Sequence, residues 1–117
     1  MSSNSIILLE DEPVIVWDLQ LSLSQLGFSV VAVYESYDAF DLDQPLHIDA
    51  CIICNLKLVE GWMNEEQLGR IKQRCMTFII ATGYNGRQMP SMSAFLKDRL
   101  LMKPFSNYQL KKLLKKG

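Results

Sequence analysis

Apolar and polar residues alternate in short blocks along this chain. The apolar blocks cover residues 5–9, 28–34, 51–54, 76–81 and 99–102. The four apolar residues at 51–54 are too few for a helix core and suit a strand that is buried on both faces. Strands that alternate with helices predict right-handed crossovers, so we expect an α/β fold with a doubly wound, five-stranded parallel sheet.

The segments between these blocks carry signals for the start and end of helices. The first predicted helix begins at Pro13, a residue tolerated in a first turn, with Asp11 or Glu12 as its cap. It ends near Leu26, and Gly27 supplies the stop. Further helices are predicted over 36–42, 64–75 and 107–116, with a short or irregular one over 83–98.

Polar residues stand where the predicted strands end. These residues are Glu10 and Asp11 after the first strand, Asn55 after the third, Thr82 after the fourth and Lys103 after the fifth. In an open parallel sheet the carboxyl ends of the strands share one edge, where binding sites form. The sequence therefore predicts a pocket at this edge, with a neutral amide at position 55.

Four motifs at these strand ends occur in a familiar order. They are Leu8-Leu9-Glu10-Asp11-Glu12-Pro13, Asn55-Leu56-Lys57-Leu58, Ala81-Thr82-Gly83-Tyr84 and Lys103-Pro104-Phe105. Together they resemble the receiver domain of bacterial response regulators along essentially the whole chain. The resemblance implies a flavodoxin-like (βα)5 receiver fold over residues 1–117, with no output domain, and a role in two-component phosphorelay signalling.

The resemblance also implies a role for each residue of the pocket. In that family a histidine kinase passes phosphate to an aspartate at the end of the third strand, because an acyl phosphate needs a carboxylate nucleophile. A metal ion and an ammonium group neutralise the transferring charge. The matching positions are Asn55 for the acceptor, Glu10, Asp11, Asn55 and Lys57 for the acidic pocket and its Mg²⁺, and Thr82 and Lys103 for the phosphate site.

Two residues depart from the family pattern. Asn55 stands at the acceptor position, and an amide oxygen is a poor nucleophile whose phosphorylated product would not persist. Leu100 stands where the family usually has the Tyr or Phe that rotates inward on activation. We therefore expect a pseudo-receiver that is not phosphorylated at the usual site and acts by protein interaction. With one carboxylate fewer, it should hold Mg²⁺ only weakly.

Three other interpretations compete with this one. The domain could be a receiver that responds to metal or partner binding instead of phosphate. It could be a small metal-dependent, phosphatase-like enzyme that uses Glu10, Asp11 and Lys103, although the missing acceptor and the lack of a cap domain favour a protein without enzymatic activity. The plainest alternative is a doubly wound domain whose acidic loop only caps a helix.

The first predicted helix has apolar residues on two opposite arcs. Ile15, Leu19, Leu23 and Leu26 share one arc at about 100° per residue and form an ordinary core stripe. Val14, Trp17 and Leu21 fall almost opposite, which suggests a face for a partner or a homodimer. The alternative is that these three are scattered exposed residues.

Charge and composition narrow the class of partner. The net charge of -1 and the pI near 5.8 leave no electrostatic footprint for nucleic acid. The lysines at 111, 112, 115 and 116 suit a solvated helix face, or docking with an acidic partner. No stretch is long enough to span a membrane, and residues 1–7 lack the features of a signal peptide. We expect a cytoplasmic protein whose partner is a histidine kinase or another signalling protein.

The cysteines give little indication of a disulfide, a redox site or a metal site. Three is an odd number, which argues against a disulfide scaffold. Cys51 and Cys54 on one strand would point to opposite faces about 10 Å apart, so small buried side chains are a better interpretation than a redox or zinc site. His47 has no other ligand at metal-binding spacing and is predicted to be a loop residue.

Overall fold

One parallel sheet runs through the centre of the molecule. The computed structural model describes residues 4–43, 50–59, 61–75, 77–82, 100–102 and 106–115. In these residues the sheet strands are β1 (Ser5–Leu9), β2 (Ser29–Tyr34), β3 (Cys51–Asn55), β4 (Thr77–Thr82) and β5 (Leu100–Met102). They lie in the order β2-β1-β3-β4-β5, and every neighbouring pair is parallel. The predicted doubly wound sheet is confirmed.

Four helices are present in the described residues. They are α1 (Pro13–Gln25), α2 (Tyr37–Asp43), α3 (Glu65–Lys72) and α4 (Asn107–Lys115). The predicted helix over 83–98 lies outside the described residues. Helix α3 ends earlier than predicted. The Arg74 backbone N–H donates to the carbonyl of Ile71, three residues earlier, and this turn-type hydrogen bond ends the α-helical pattern.

The sheet separates two hydrophobic layers, and alternate residues of its strands point into each. On one side Ile7 and Leu9 of β1 pack in a cluster with residues of α2 and α3; its fully buried side chains include Phe40, Ile52, Leu68 and Ile71. On the other side Ile6 and Leu8 pack with α1 and α4. Burying one such Leu or Ile contributes about 1.5–3 kcal/mol, so two filled layers stabilise the sheet from both faces.

The two ends of α1 match the signals in the sequence, and Glu12 is its N-cap as predicted, but no side-chain capping bond forms there. Pro13 occupies the first turn, and Gly27 follows the helix with a φ of 89°, a conformation that suits glycine. Glu12 stands at the N-cap position without making a side-chain capping bond. Instead, Oε2 of Glu10 accepts hydrogen bonds from the backbone N–H groups of Asp11 and Glu12.

A small antiparallel hairpin follows β3 where the sequence predicts only a loop. Lys57–Leu58 pairs with Gly61–Trp62, and Gly61 has a φ of 112°. The Met63 backbone N–H donates to the Leu56 carbonyl at 2.9 Å. The hairpin therefore anchors the chain directly after Asn55. Among the described helices, none is both long and apolar enough to cross a membrane.

Candidate functional site

The register of the sheet brings the predicted pocket residues to one edge. Leu9 pairs with Cys54, so Glu10 and Asn55 follow side by side. Asn55 pairs in turn with Ala81, which places Thr82 one position further along β4. The side chain of Thr82 and all of Lys103 lie outside the described residues, and their roles in a phosphate site stay predictions.

Glu10 and Asn55 form a buried polar pair. Their exposed fractions are only 2% and 6%, and Nδ2 of Asn55 donates to Oε2 of Glu10 at 3.0 Å. A buried carboxylate is costly unless hydrogen-bond donors surround it. The same Oε2 also accepts from the backbone N–H groups of Asp11 at 3.2 Å and Glu12 at 3.4 Å. Three donors thus converge on one carboxylate oxygen.

The oxygen of the Asn55 amide also takes part in a hydrogen bond. Its Oδ1 accepts from the backbone N–H of Lys57 at 3.3 Å. The Lys57 ammonium lies 5.8 Å from the centre of the Trp62 ring, within the range of a cation–π contact across the hairpin. Lys57 therefore supports the pocket through its main chain, while its side chain contacts Trp62, a residue that no signal in the sequence assigned to the site.

The acidic triplet after β1 forms a compact carboxylate cluster. One oxygen each from Glu10, Asp11 and Glu12 lies within 4.8 Å of the others. Burial raises the pKa of Asp11, and the neighbouring carboxylates of Glu10 and Glu12 raise it further. Glu12 was not among the predicted metal ligands, although its place in the acidic triplet could have suggested it.

These three carboxylates fit a hard divalent cation better than Asn55 does. Mg²⁺ prefers oxygen ligands, and carboxylates supply them with a negative charge. Asn55 presents N–H donors towards Glu10, and its one oxygen already accepts a hydrogen bond. Glu10, Asp11 and Glu12 are therefore the residues that would hold the ion, which would supply positive charge at the edge of the sheet.

The predicted interaction face is exposed. Val14, Trp17 and Leu21 of α1 are 70%, 72% and 54% exposed, whereas Leu19 and Leu23 on the opposite side are buried. The predicted helix phase is confirmed. Cys51 and Cys54 are free thiols in opposite core layers, as expected for small buried side chains.

Comparison with known proteins gives a consistent result for the fold. No protein-family model matches the chain, and no curated protein matches it. The solution structure of SdrG from Sphingomonas melonis Fr1 is 25% identical with a TM-score of 0.75, covering 98% of this chain and 97% of SdrG. The BeF3-activated conformation of SdrG, from Pseudomonas melonis Fr1, is 26% identical with a TM-score of 0.76 over the same shares.

Two structures of lower sequence identity share the fold. The PhyR response regulator REC domain of Erythrobacter litoralis is 18% identical with a TM-score of 0.68, covering 99% of this chain and 90% of that one. RcsB in its DNA complex is 20% identical with a TM-score of 0.78; 98% of this chain matches 60% of RcsB. The resemblance that the four motifs indicated is confirmed, and this chain has the receiver-domain fold of response regulators.

Proposed function

We propose that this chain is a pseudo-receiver, a signalling domain that is not phosphorylated at residue 55 and acts by binding a histidine kinase or another signalling protein. The structural neighbours support receiver-like signalling in general. The observation that carries the finer proposal is the Asn55 amide, which donates to Glu10 and accepts from Lys57 inside the pocket.

The chemistry of phosphoryl transfer explains why this amide matters. The receiver reaction needs a carboxylate oxygen that attacks the phosphorus of the donor, displaces the donor group and becomes the bridging oxygen of an acyl phosphate. The amide of Asn55 is neutral, and its single oxygen already accepts a hydrogen bond from the hairpin. An attack from this oxygen would cost that bond and produce an unstable product.

The same amide also avoids a repulsion between like charges in the pocket. A carboxylate at position 55 beside the buried Glu10 would bring together two like charges, which a cation or a proton must balance. Asn55 instead supplies an N–H donor to Glu10. The pocket is thus stabilised without a phosphoryl group, which supports an output that does not depend on phosphorylation at residue 55.

The carboxylate cluster favours one alternative function. Glu10, Asp11 and Glu12 lie close enough for a divalent cation to contact all three, and a receiver controlled by that ion would use the same edge of the sheet. A phosphatase-like enzyme is disfavoured, because such chemistry starts from a carboxylate at the position of Asn55. We propose a protein without catalytic activity.

Phosphorylation by a small donor tests the proposal. The wild-type chain and Asn55→Asp are incubated with acetyl phosphate and Mg²⁺, then analysed by intact mass spectrometry and peptide mapping. We expect no adduct on residue 55 of the wild type, and amide NMR spectra that acetyl phosphate leaves unchanged. The variant should gain an adduct at residue 55. A stable phosphoryl group on wild-type Asn55 would refute the proposal.

A further inference from the structure

Strand β2 lies at one edge of the sheet. In the described part of the chain its only strand neighbour is β1, on the inner side. The carbonyl of Tyr34 accepts from the Glu10 N–H at 3.0 Å, so the backbone groups of Tyr34 face inward. Neighbouring residues of a strand direct these groups to opposite sides, so the N–H and C=O of Val33 face the outer edge.

This edge lacks most of the features that protect exposed strands from pairing. Natural edge strands are short, carry lysine or proline, or bulge away from a neighbour. The six residues of β2, Ser-Val-Val-Ala-Val-Tyr, include no charge and no proline. A register shift opposite Ile6 and Ile7 interrupts the strand, and residues 32–34 beyond it pair regularly with β1. The carboxyl-terminal half of β2 is therefore suited to accept another strand.

Two valines present apolar surface beside this backbone. Val31 and Val33 are 50% and 38% exposed, whereas Ala32 and Tyr34 pack against the core. Exposed β-branched side chains two residues apart offer contacts to alternate side chains of an added strand. Extended peptides bind at sheet edges through backbone hydrogen bonds and side-chain contacts of this kind. The surface thus suits an extended segment better than a helix.

Acidic groups lie around the carboxyl end of β2. Glu35 follows the strand directly and is exposed. Asp43 of α2 is also exposed, and it accepts a hydrogen bond from the Tyr34 hydroxyl, which holds it beside the strand. Arg74 reaches α2 as well, where it forms an ion pair with Asp41 at 3.3 Å. A strand added at this edge would therefore meet the negative charge of Glu35 and Asp43.

We propose that β2 binds an extended, basic segment of another protein, which joins the five-stranded sheet as a further strand. Alternate apolar residues of this segment would pack on Val31 and Val33. Lys or Arg residues at one of its ends would lie beside Glu35 and Asp43. The inference adds a surface and a class of partner to the proposed function, and it does not depend on the chemistry of residue 55.

The charges favour this partner over a second copy of the chain. A two-fold axis would pair two β2 strands antiparallel, because such an interface brings the same surface of each copy together. The acids at the end of one strand would then lie opposite the start of the other, near the uncharged Asn4 and Ser29. Residues 1–56 contain none of the 12 Lys and Arg residues. A basic segment complements the acids, and a second β2 does not.

Two strand peptides test the proposal on the full chain. Both alternate valine with threonine; one carries two lysines at its amino end and the other at its carboxyl end, which covers both directions of pairing. We expect at least one to bind, more weakly as salt is added, because salt screens exposed charges. Amide hydrogen exchange read by NMR should then slow strongly at Val33, and much less at Tyr34, whose N–H already faces β1.

Altered peptides separate strand pairing from simple charge attraction. Glutamate in place of the lysines should weaken binding by roughly tenfold or more. Two N-methylated forms, each modified on one of the two alternating sets of backbone nitrogens, should differ. The form that loses the donors facing β2 should not bind, and the other should bind almost as well as the parent peptide. Equal binding of both forms would overturn the pairing.

Variants of the chain locate the site. Val31→Lys should weaken binding by roughly tenfold or more, because it removes an apolar contact and adds a like charge. Val59→Lys, the same change at a 70% exposed residue of the hairpin, should have no effect. Glu35→Gln should also weaken binding, whereas Glu65→Gln on α3 should not. Thermal melts without peptide show whether each variant keeps the fold, and Glu35→Gln decides if Val31→Lys does not.

Three further results would overturn the proposal. One is that neither lysine peptide binds at millimolar concentration. Another is that binding is the same in wild type, Val31→Lys and Glu35→Gln, which would move the site away from β2. The third is exchange at Val33 that slows with protein concentration in the absence of peptide, which would assign the edge to a second copy. None of these results alters the acetyl phosphate experiment, so the two proposals fail independently.

Discussion

Asn55 and Glu10 are 45 residues apart in the chain, and a hydrogen bond of 3.0 Å joins their side chains at the buried edge of the sheet. The bond links the end of β3 to the loop after β1, where Oε2 of Glu10 also holds the start of α1 through two backbone N–H groups. Residue 55 therefore has a structural role in addition to its place at the predicted phospho-acceptor position.

Asn55→Asp should destabilise the metal-free protein at neutral pH. The new carboxylate would lie beside Glu10, and like charges raise the pKa of one member of such a pair. An acid whose pKa is raised on folding contributes stability below its unfolded pKa and loses it as pH rises. The deficit relative to wild type should thus be small near pH 4 and reach about 2–3 kcal/mol near pH 7.

Urea unfolding in EDTA across this pH range measures the effect. Asn64→Asp is the matched control, because Asn64 is an exposed N-cap of α3 whose side chain accepts from the Gln67 backbone N–H, and Asp caps equally well. A deficit at Asn55→Asp that does not grow with pH would contradict the argument from like charges.

Mg²⁺ should bind the wild-type protein more weakly than it binds Asn55→Asp. The variant adds a negative oxygen ligand beside the acidic triplet and removes the N–H donor that faces Glu10. We expect a difference of roughly tenfold or more in Kd, equivalent to about 1.4 kcal/mol. Calorimetric titration of both proteins decides the matter, and equal affinities would show that residue 55 lies outside the ion's reach.

Two leucines of α1 form a matched pair for the packing of that helix. Leu23 is fully buried, whereas Leu21 is 54% exposed two residues earlier. Leu23→Ala should cost about 2–5 kcal/mol because it leaves a cavity in a filled layer. Leu21→Ala should change the free energy of unfolding by no more than about 0.5 kcal/mol in the monomer. Chemical denaturation at low concentration compares them, and similar losses would contradict the helix phase.

The Tyr34 phenol should titrate unusually late. Burial, together with the hydrogen bond that Tyr34 donates to Asp43, raises its pKa from 10.0 to about 12. The stability that the protonated phenol contributes is complete below pH 10 and is lost as pH approaches 12. Ultraviolet absorbance of the ionised ring measures the titration. The Tyr34→Phe variant shows which part of the absorbance change comes from Tyr34.

Asp43→Asn should move that pKa back towards its ordinary value, since it removes the acceptor's charge. Asp38→Asn, a change of the same kind on the same helix, should leave it in place. An unchanged titration in Asp43→Asn would mean that burial alone raises the pKa.

Short-range signals were sufficient to predict most of the elements. Pro13 and Gly27 mark the limits of α1, and the apolar spacing of that helix identified Leu19 and Leu23 as buried. The apolar block that stops at Asn55 identified the central strand and the edge where polar residues meet. These features depend on residues that are close together in the chain, so the sequence shows the relevant pattern directly.

The details of the pocket could not be predicted in that way. The Asn55 amide reaches Oε2 of Glu10 only because β1 and β3 pair in one register, so its direction depends on residues far apart in the chain. The hairpin after β3 could not be predicted because its strands have only two residues each, too few to show an alternation of apolar and polar residues.

The central strand also carries a natural probe for each side of the sheet. Cys51 belongs to the layer under α1 and α4, and Cys54 to the layer under α2 and α3. Burial, with a smaller contribution from Glu10, raises the pKa of the Cys54 thiol well above its usual range, so Cys54 reacts only after local opening. The labelling rates of the two thiols under native conditions therefore report how often each half of the core opens, without any engineered label.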